Sequence, residues 1–476
     1  MDQSTKKLLS GSAVYFVGNA LTQLVSLLLM RFVTGRITPE EYGFFNLVTT
    51  ISNLAIPLVT LQIADAVFRF VLKAKNEEDK CTYLTVCYAV SFVSMIAIIG
   101  IVFGVSCFVS VPNTLLVALY AASYAIFGIH QKILRCLGRS DVFVSGNLIK
   151  TVIFLGLEIL LLSLLDMGIE ALLLAHILSI LFFLLYAEIR VFSLQYVKPR
   201  LLNIKTFCEM ARFSIPLIPN AAFWWLTSSV NNVIVSAKLG MDVNGIYSVS
   251  NKFTGVLVMV TGVLNMSWQD TAIAAYGDKS FGSFLTKTTN TFVKLIFSAI
   301  AVLIPLVFLV IPYMIDETYH SAIAYTPFLL IASGTSSISG FLAQIFTGRG
   351  DTKKLPLTSV IAMAGNLLTV FFLISRIGLW AAVCGSLVAD VILVVTRLAM
   401  TWREFGKGVE YGKYAVVLVM LITSIWLFLR ASVIANLIWF LLSAALAVVL
   451  NFGFVKDILS IIFSKLLKKS VKEDVQ

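Results

Sequence analysis

Long apolar runs separated by short polar punctuation fill the chain from about residue 11 to residue 451. A helix needs about 20 mostly apolar residues to cross the hydrocarbon of a bilayer. By that measure the pattern predicts fourteen spans, at 11–31, 44–66, 83–108, 113–133, 142–165, 169–189, 213–237, 246–270, 292–312, 322–346, 356–375, 378–398, 413–430 and 434–451. The longest stretch between them, 190–212, is too short to form a soluble domain. The expected fold class is therefore an all-α polytopic membrane protein.

Composition agrees, with 59% hydrophobic residues and a mean hydropathy of +0.94. The 36 Lys and Arg against 25 Asp and Glu give a formal charge of +11. In a soluble chain that excess would suggest nucleic acid. Here it falls on alternate loops, so no nucleic-acid partner is expected. Arg69, Lys73, Lys75 and Lys80 occupy one loop, and Arg135 and Arg139 the next on that side. Arg190, Lys198, Arg200, Lys205, Arg212, Lys279, Lys287, Arg349, Lys353, Lys354, Arg403 and Lys407 continue the series. The opposite loops carry few basic residues and hold Glu40, Glu41, Asp166, Glu170, Asp316 and Glu317. The positive-inside rule then places both termini in the cytoplasm.

Punctuation also repeats. Gly138-Arg139-Ser140-Asp141 returns as Gly348-Arg349-Gly350-Asp351, and Gly168-Ile169-Glu170-Ala171 as Gly378-Leu379-Trp380-Ala381, each 210 residues on. Gly43-Phe44-Phe45-Asn46 resembles Gly245-Ile246-Tyr247-Ser248. An offset of six spans keeps both copies in one membrane orientation, as in parallel repeats that give alternating access. The expected organisation is an N-terminal six-helix lobe (1–189), a cytoplasmic linker (190–212) and a second six-helix lobe (213–398). Two additional spans (399–451) and a basic, amphipathic cytoplasmic tail (452–476) follow.

Enzymatic signatures are missing. The six cysteines form no CxxC pair, the three histidines are scattered, and no HExxH, Walker A or GxGxxG pattern occurs. A transporter without an organic cofactor is expected, with an ion or proton gradient as the possible energy source. A membrane-bound glycan polymerase or glycosyltransferase would need a large catalytic loop.

The start of the second lobe is more specific. Phe213-Ser214-Ile215-Pro216-Leu217-Ile218-Pro219-Asn220 leads into Trp224-Trp225, then Leu239-Gly240, Gly245-Ile246-Tyr247-Ser248-Val249, Lys252 and Trp268. Glu41-Tyr42-Gly43 and Leu137-Gly138-Arg139 agree in the first lobe. This text resembles the polysaccharide transporter branch of the multidrug/oligosaccharidyl-lipid/polysaccharide exporter superfamily. The resemblance implies a flippase of the bacterial cytoplasmic membrane. Its substrate would be undecaprenyl-diphosphate-linked repeat units for O-antigen, capsule or exopolysaccharide. It also implies contact with membrane lipids and work beside a glycan polymerase and glycosyltransferases. A drug/cation antiporter of the same superfamily and a lipid II flippase are the alternatives. One departure stands out: where members often carry an acidic-basic pair, this chain reads Ser228-Ser229-Val230-Asn231-Asn232.

Charged groups inside spans are costly and so are candidates for function. Lys252, about two turns into the eighth span, is the favoured contact for a diphosphate, with Arg31 near the same side. Asn46, Asn220 and Asn251 are candidates for hydroxyl recognition and Trp224 for stacking on a sugar; each could instead pack helices together. Asn19, Gln23, Asn53, Asn231, Asn232 and Asn265 are further polar candidates. Asp65 and Arg69 are four apart, a spacing that allows either an ion pair or a lining role. Glu158 and Asp390 are candidates for ion coupling, gating or helix pairing. Lys150 is placed to snorkel to the interface.

Topology is testable directly. Cysteines placed in the 190–212 linker should react only with reagents reaching the cytoplasmic face, and cysteines in 312–321 only from outside. Outward labelling of the linker would reverse the assignment.

Overall fold

The computed structural model describes residues 27–165, 167–349, 351, 354–430, 432–454 and 456. Among these residues all regular structure is helical. Eleven helices are long and apolar enough to cross a membrane. The residues form two compact units that divide after Ser248.

The first unit begins with α1 (Met30–Thr34), α2 (Pro39–Val59), α3 (Ile63–Leu72), α4 (Glu77–Ser106) and α5 (Thr114–Cys136). It continues with α6 (Ser140–Leu164), α7 (Ile169–Val191), α8 (Ile204–Ser214) and α9 (Ile218–Leu239). The division falls within α10 (Met241–Ala275). The second unit holds α11 (Phe281–Met314), α12 (Ala322–Arg349), α13 (Lys354–Ile377), α14 (Trp380–Thr401), α15 (Tyr411–Arg430) and α16 (Val433–Leu450). α9 and α10, with 22 and 35 residues, are long enough to span but fall outside the eleven. Asn231, Asn232, Asn251 and Lys252 dilute their hydropathy. The expected first span, up to residue 26, and the tail beyond 456 lie outside the described residues.

One expected span is divided. The run 44–66 does not form a continuous helix: α2 ends at Val59, Leu61 and Gln62 take φ of 52° and 54°, and α3 starts at Ile63. Pro57 lies in the last turn of α2, where it has no N–H to donate to the preceding turn. The two successive left-handed residues cost about 1 kcal/mol or more each, so the surrounding packing must hold them. Ile63, Ala66, Val67, Leu84, Cys87, Ile129 and Ile133 form that core, joining α3 to α4 and α5.

The N-terminus of α2 is built from the pattern Thr38-Pro39-Glu40-Glu41. Thr38 accepts from the Glu41 N–H, and the Glu41 carboxylate accepts from the Thr38 N–H at 2.9 Å, a capping box. The same carboxylate accepts from the Ile169 N–H at 3.4 Å and so ties α2 to the start of α7. A Cβ at Gly168 would stand 2.3 Å from it, which explains the small residue there. One turn further along α2, Gly43 meets the start of α10. A Cβ at Gly43 would lie 1.8 Å from the Met241 carbonyl oxygen, and one at Gly245 would lie 1.9 Å from that of Pro39. Asn244, fully buried, donates to the Gly43 carbonyl at 2.9 Å.

In the second unit a stripe at four-residue spacing on α11 secures the loop before α15. Gly282 accepts from the Gly406 N–H at 3.0 Å, and Thr286 donates to the Gly406 carbonyl at 3.2 Å. Asn290 donates to the Gly408 carbonyl at 2.8 Å, and Lys294 is ion-paired to Glu410. Lys294 is buried, and its hydrogen bond is the main reason the Glu410 carboxyl titrates below its ordinary range. α10 and α12 are joined by a polar seam. Ser250 donates to the Ala322 carbonyl at 3.1 Å, Ser337 to Thr261 at 2.8 Å, and the Trp268 indole to the Phe341 carbonyl at 3.0 Å. Such interhelical bonds hold helices together where lipid supplies no hydrophobic drive.

Removing one partner of a buried pair strands a charge. Glu410 is partly exposed, so Glu410→Gln should destabilise the protein by about 1–3 kcal/mol, chiefly through the buried charge left on Lys294. Adding Lys294→Met should restore part of the loss, read as melting temperature in detergent. Additive losses in the double variant would show that the pair is not coupled.

Candidate functional site

The first unit contains a small cavity of about 200 Å³ between α2 and α5, lined by Asn53, Ile56, Pro57, Tyr124, Phe127, Gly128 and Gln131. Each wall follows from helical spacing. Asn53, Ile56 and Pro57 lie on one side of α2, and Tyr124, Phe127, Gly128 and Gln131 repeat at three to four residues along α5. Tyr124 belongs to an aromatic column, stacked on Tyr120 at 5.9 Å and on Phe127 at 6.4 Å between ring centres. A side chain at Gly128 would meet no atom within 4 Å of its Cβ, so the wall is open there.

α6 adds two polar groups. Asn147 accepts from the Gln131 amide at 2.8 Å and donates to the Phe143 carbonyl at 2.6 Å. One turn further on, Lys150 places its ammonium 5.0 Å from the centre of the Phe127 ring, within cation–π range. Lys150 was expected to snorkel to the interface; it is half-buried against this ring. Amide groups, aromatic faces and one cation meet within a few turns. Chemically the set can exchange hydrogen bonds with hydroxyls, stack on an apolar ring face and attract an anion.

The other expected residues are distributed as follows. Asp65 opens α3 and is ion-paired to Lys132 of α5 at 2.6 Å. Its expected partner Arg69 instead covers the Phe213 ring at 4.2 Å. The helix break at Leu61 and Gln62 accounts for this, because it places Asp65 in the first turn of a new helix packed on α5. Glu158 is buried in α6. Asn46 is half-buried in α2 and accepts from Thr50 at 3.4 Å, and Arg31 is exposed on α1. The side chains of Asn220 and Trp224 lie outside the described residues. Trp225 beside them donates to the Thr50 carbonyl at 2.6 Å, a helix-packing contact. Asn251 and Lys252 are half-buried on α10 in the second unit.

Asp390 of α14 has polar neighbours on two helices. It accepts a hydrogen bond from Ser336 of α12 and feels the charge of Arg397 two turns along α14. Arg397 escaped the sequence reading. It is 7% exposed and donates to the Ser339 carbonyl at 2.8 Å and to the Thr358 hydroxyl at 3.3 Å. The signal was the seven-residue spacing from Asp390, which puts both on one helix face. His130, Tyr88 and Glu188 were also missed. The His130 Nε2 lies 3.2 Å from both the Tyr88 hydroxyl and a Glu188 carboxylate oxygen. Ser193 donates to the same carboxylate, fastening the start of the linker to α7. The repeated turns share one local contact: Arg139 pairs with Asp141 and Arg349 with Asp351, both at 3.2 Å. Among the described residues no group of three or more His, Cys, Asp or Glu could hold a metal ion.

Comparison with known proteins gives three findings. A family model described as polysaccharide biosynthesis protein matches residues 8–273. No curated protein gives a significant match. Among solved structures, the lipid II flippase MurJ in an inward closed conformation is similar, with a TM-score of 0.70 at 14% identity, over 95% of this chain and all of that one. A multidrug resistance MATE family transporter of the MOP superfamily, inward-facing, gives a TM-score of 0.64 at 14% identity, over 81% of this chain and 98% of that one. The Vibrio cholerae MATE transporter VcmN, in its bent form, gives 0.54 at 14% identity, over 85% and 98%. At this identity the likeness concerns the fold, and it is the superfamily fold that the sequence resemblance implied.

Two glycines on α2 and α5 should respond oppositely to alanine. Gly43→Ala drives a methyl group into the Met241 carbonyl and should cost on the order of 3 kcal/mol or more. Gly128→Ala has open space and should stabilise its helix by about 0.5–1 kcal/mol. Melting temperatures of the purified variants in detergent check both; an equally stable Gly43→Ala would contradict the close crossing.

Proposed function

Because the chain belongs to the polysaccharide biosynthesis protein family, we propose that it moves polyprenyl-diphosphate-linked glycans across the membrane by alternating access. The observation that carries this reading is the family match, and the superfamily fold along nearly the whole chain supports it. Translocation breaks no covalent bond, so it needs recognition and a change of exposure rather than a catalytic group. The polyprenyl tail stays in lipid while the charged head crosses. A diphosphate carries at least two negative charges and several acceptor oxygens, which basic side chains attract. Lys252, with Arg31, is assigned to that head group. Asn46, Asn220, Asn251 and Trp224 are assigned to the sugar. In the first unit Asn53, Gln131 and Tyr124 supply similar polar and aromatic chemistry around one cavity, with Lys150 packed on its Phe127 wall. Asp65, Glu158 and Asp390 are the acids through which a coupling ion would act; Asp65 is ion-paired to Lys132, and Asp390 lies in the field of Arg397.

Two substrates share this chemistry. Repeat units for O-antigen, capsule or exopolysaccharide fit the family description. Lipid II is the second reading. The likeness to a lipid II flippase, closer and longer than to the MATE transporters cited, supports a lipid-linked saccharide, lipid II included, over small drugs. Both are polyprenyl-diphosphate saccharides, and the assay separates them.

Purified protein in liposomes should move at least one of the two lipid-linked saccharides between leaflets and should leave a cationic dye unmoved. Dye movement without movement of either saccharide would establish the antiporter and reject the flippase. Lys252→Ala should lower the rate about tenfold or more while the folded yield is kept, and Lys252→Arg should retain more activity because the charge remains. Equal rates for wild type and Lys252→Ala would remove Lys252 from the substrate path.

A further inference from the structure

We propose that the first unit binds one anionic phospholipid of the cytoplasmic leaflet. One acyl chain would enter the cavity between α4 and the linker, and the phosphate would rest on Lys198, Arg200 and Lys205. The cavity measures about 470 Å³ and is separate from the one beside Asn53. Its walls are Val59 and Leu61 at the α2–α3 break, Val86, Val90 and Val93 on α4, and Phe207 on α8, with Ala89, Ser94 and residues 202–204 completing them.

The walls ask for hydrocarbon. Ser94 is engaged with the Val59 carbonyl at 3.2 Å, and the Asn203 side-chain oxygen accepts from the Lys205 N–H at 2.8 Å. Asn203 is exposed, so its amide NH2 can reach solvent at the rim. An apolar cavity of this kind takes up apolar ligands rather than water. Its volume equals about sixteen waters at ~30 Å³ each, room for a single chain.

The surroundings ask for a negative head group. Phe192, Leu194, Leu202 and Ile204 are 51–75% exposed and flank exposed Lys198 and Arg200, with exposed Lys205 following. Large apolar side chains open to water beside lysines are unfavourable in solution and suited to a membrane interface. α8, eleven residues long, continues this amphipathic segment, with Met210 and Ala211 buried and Lys205 and Arg212 exposed. The basic residues here are also the ones that assign the linker to the cytoplasmic side, whose leaflet is anionic. Hydrocarbon cavity, apolar rim and cationic edge thus coincide on one segment. The strained pair Leu61–Gln62 lies at the cavity wall, and a chain packed against Leu61 would add contacts that help to hold it.

The test uses the full-length protein in nanodiscs containing phosphatidylglycerol with a photoreactive diazirine midway along one acyl chain. The matching phosphatidylcholine probe serves as control. After irradiation, crosslinked peptides are mapped. The expected result is labelling concentrated on 86–94 and 202–207, favouring phosphatidylglycerol on the order of tenfold. Ala89→Trp should fill the cavity and remove the label from these segments while lipid-facing α15 and α16 keep theirs. Lys198→Gln with Arg200→Gln and Lys205→Gln should abolish the head-group preference but keep residual acyl labelling. If either variant folds poorly, the wild-type map still decides. Label spread evenly over α4, α15 and α16, or equal for the two head groups, overturns the proposal. Protection by a polyprenyl phosphate at lower concentration than by phosphatidylglycerol also overturns it, since the cavity would then belong to the transported lipid. None of these outcomes depends on which saccharide is moved.

Discussion

Hydrocarbon offers no partner to a hydrogen-bonding group, so each polar atom carried into a span must be answered within the protein. Much of the arrangement follows from that constraint. The α10–α12 seam, the four-residue stripe on α11 and the bonds around Arg397 each bring polar side chains onto a neighbouring backbone or side chain. Where no side chain intervenes, the backbones themselves close up. Gly43 and Gly245 allow α2 and the start of α10 to approach so nearly that a methyl group on either would overlap a carbonyl. Asn244 spends its amide on the same crossing.

Some polar groups lie at a wall rather than inside a seam. The cavity beside Asn53 combines the amides of Asn53 and Gln131 with the rings of Tyr124 and Phe127, and the Lys150 ammonium packs on Phe127. The larger cavity beside the linker is lined mainly by aliphatic residues, and its Ser94 hydroxyl and Asn203 side-chain oxygen are engaged. The first wall mixes amides with aromatic rings, and the second is almost wholly apolar. Their separation within one unit allows lipid and cargo chemistry to be tested independently.

The helical class, most span positions and the family were legible from the sequence because they rest on long-range averages of hydropathy and on short Gly- and Pro-containing text. The division at Leu61–Gln62 was not, because Pro57 is tolerated in many spans and only packing decides whether the chain turns there. Consequently Asp65 was matched with Arg69 by spacing, while the fold gives it Lys132, 67 residues away in sequence. Arg397 and Lys294 were legible in principle as lone cations in apolar runs; their partners, Ser339 and Glu410, become neighbours only through tertiary packing. Among the repeated glycines, Gly138 has a φ of 74° and so serves a turn. Gly43, Gly168 and Gly245 serve instead to admit a neighbouring atom, which no local pattern announces.

The claim that this chain carries lipid-linked glycans outward is tested most directly in cells depleted of it and lacking any redundant transporter. The measurement is the fraction of polyprenyl-diphosphate-linked glycan accessible to a membrane-impermeant reagent from outside. The account predicts that synthesis continues while the accessible fraction falls and the intermediate accumulates on the cytoplasmic leaflet. An unchanged accessible fraction would contradict it.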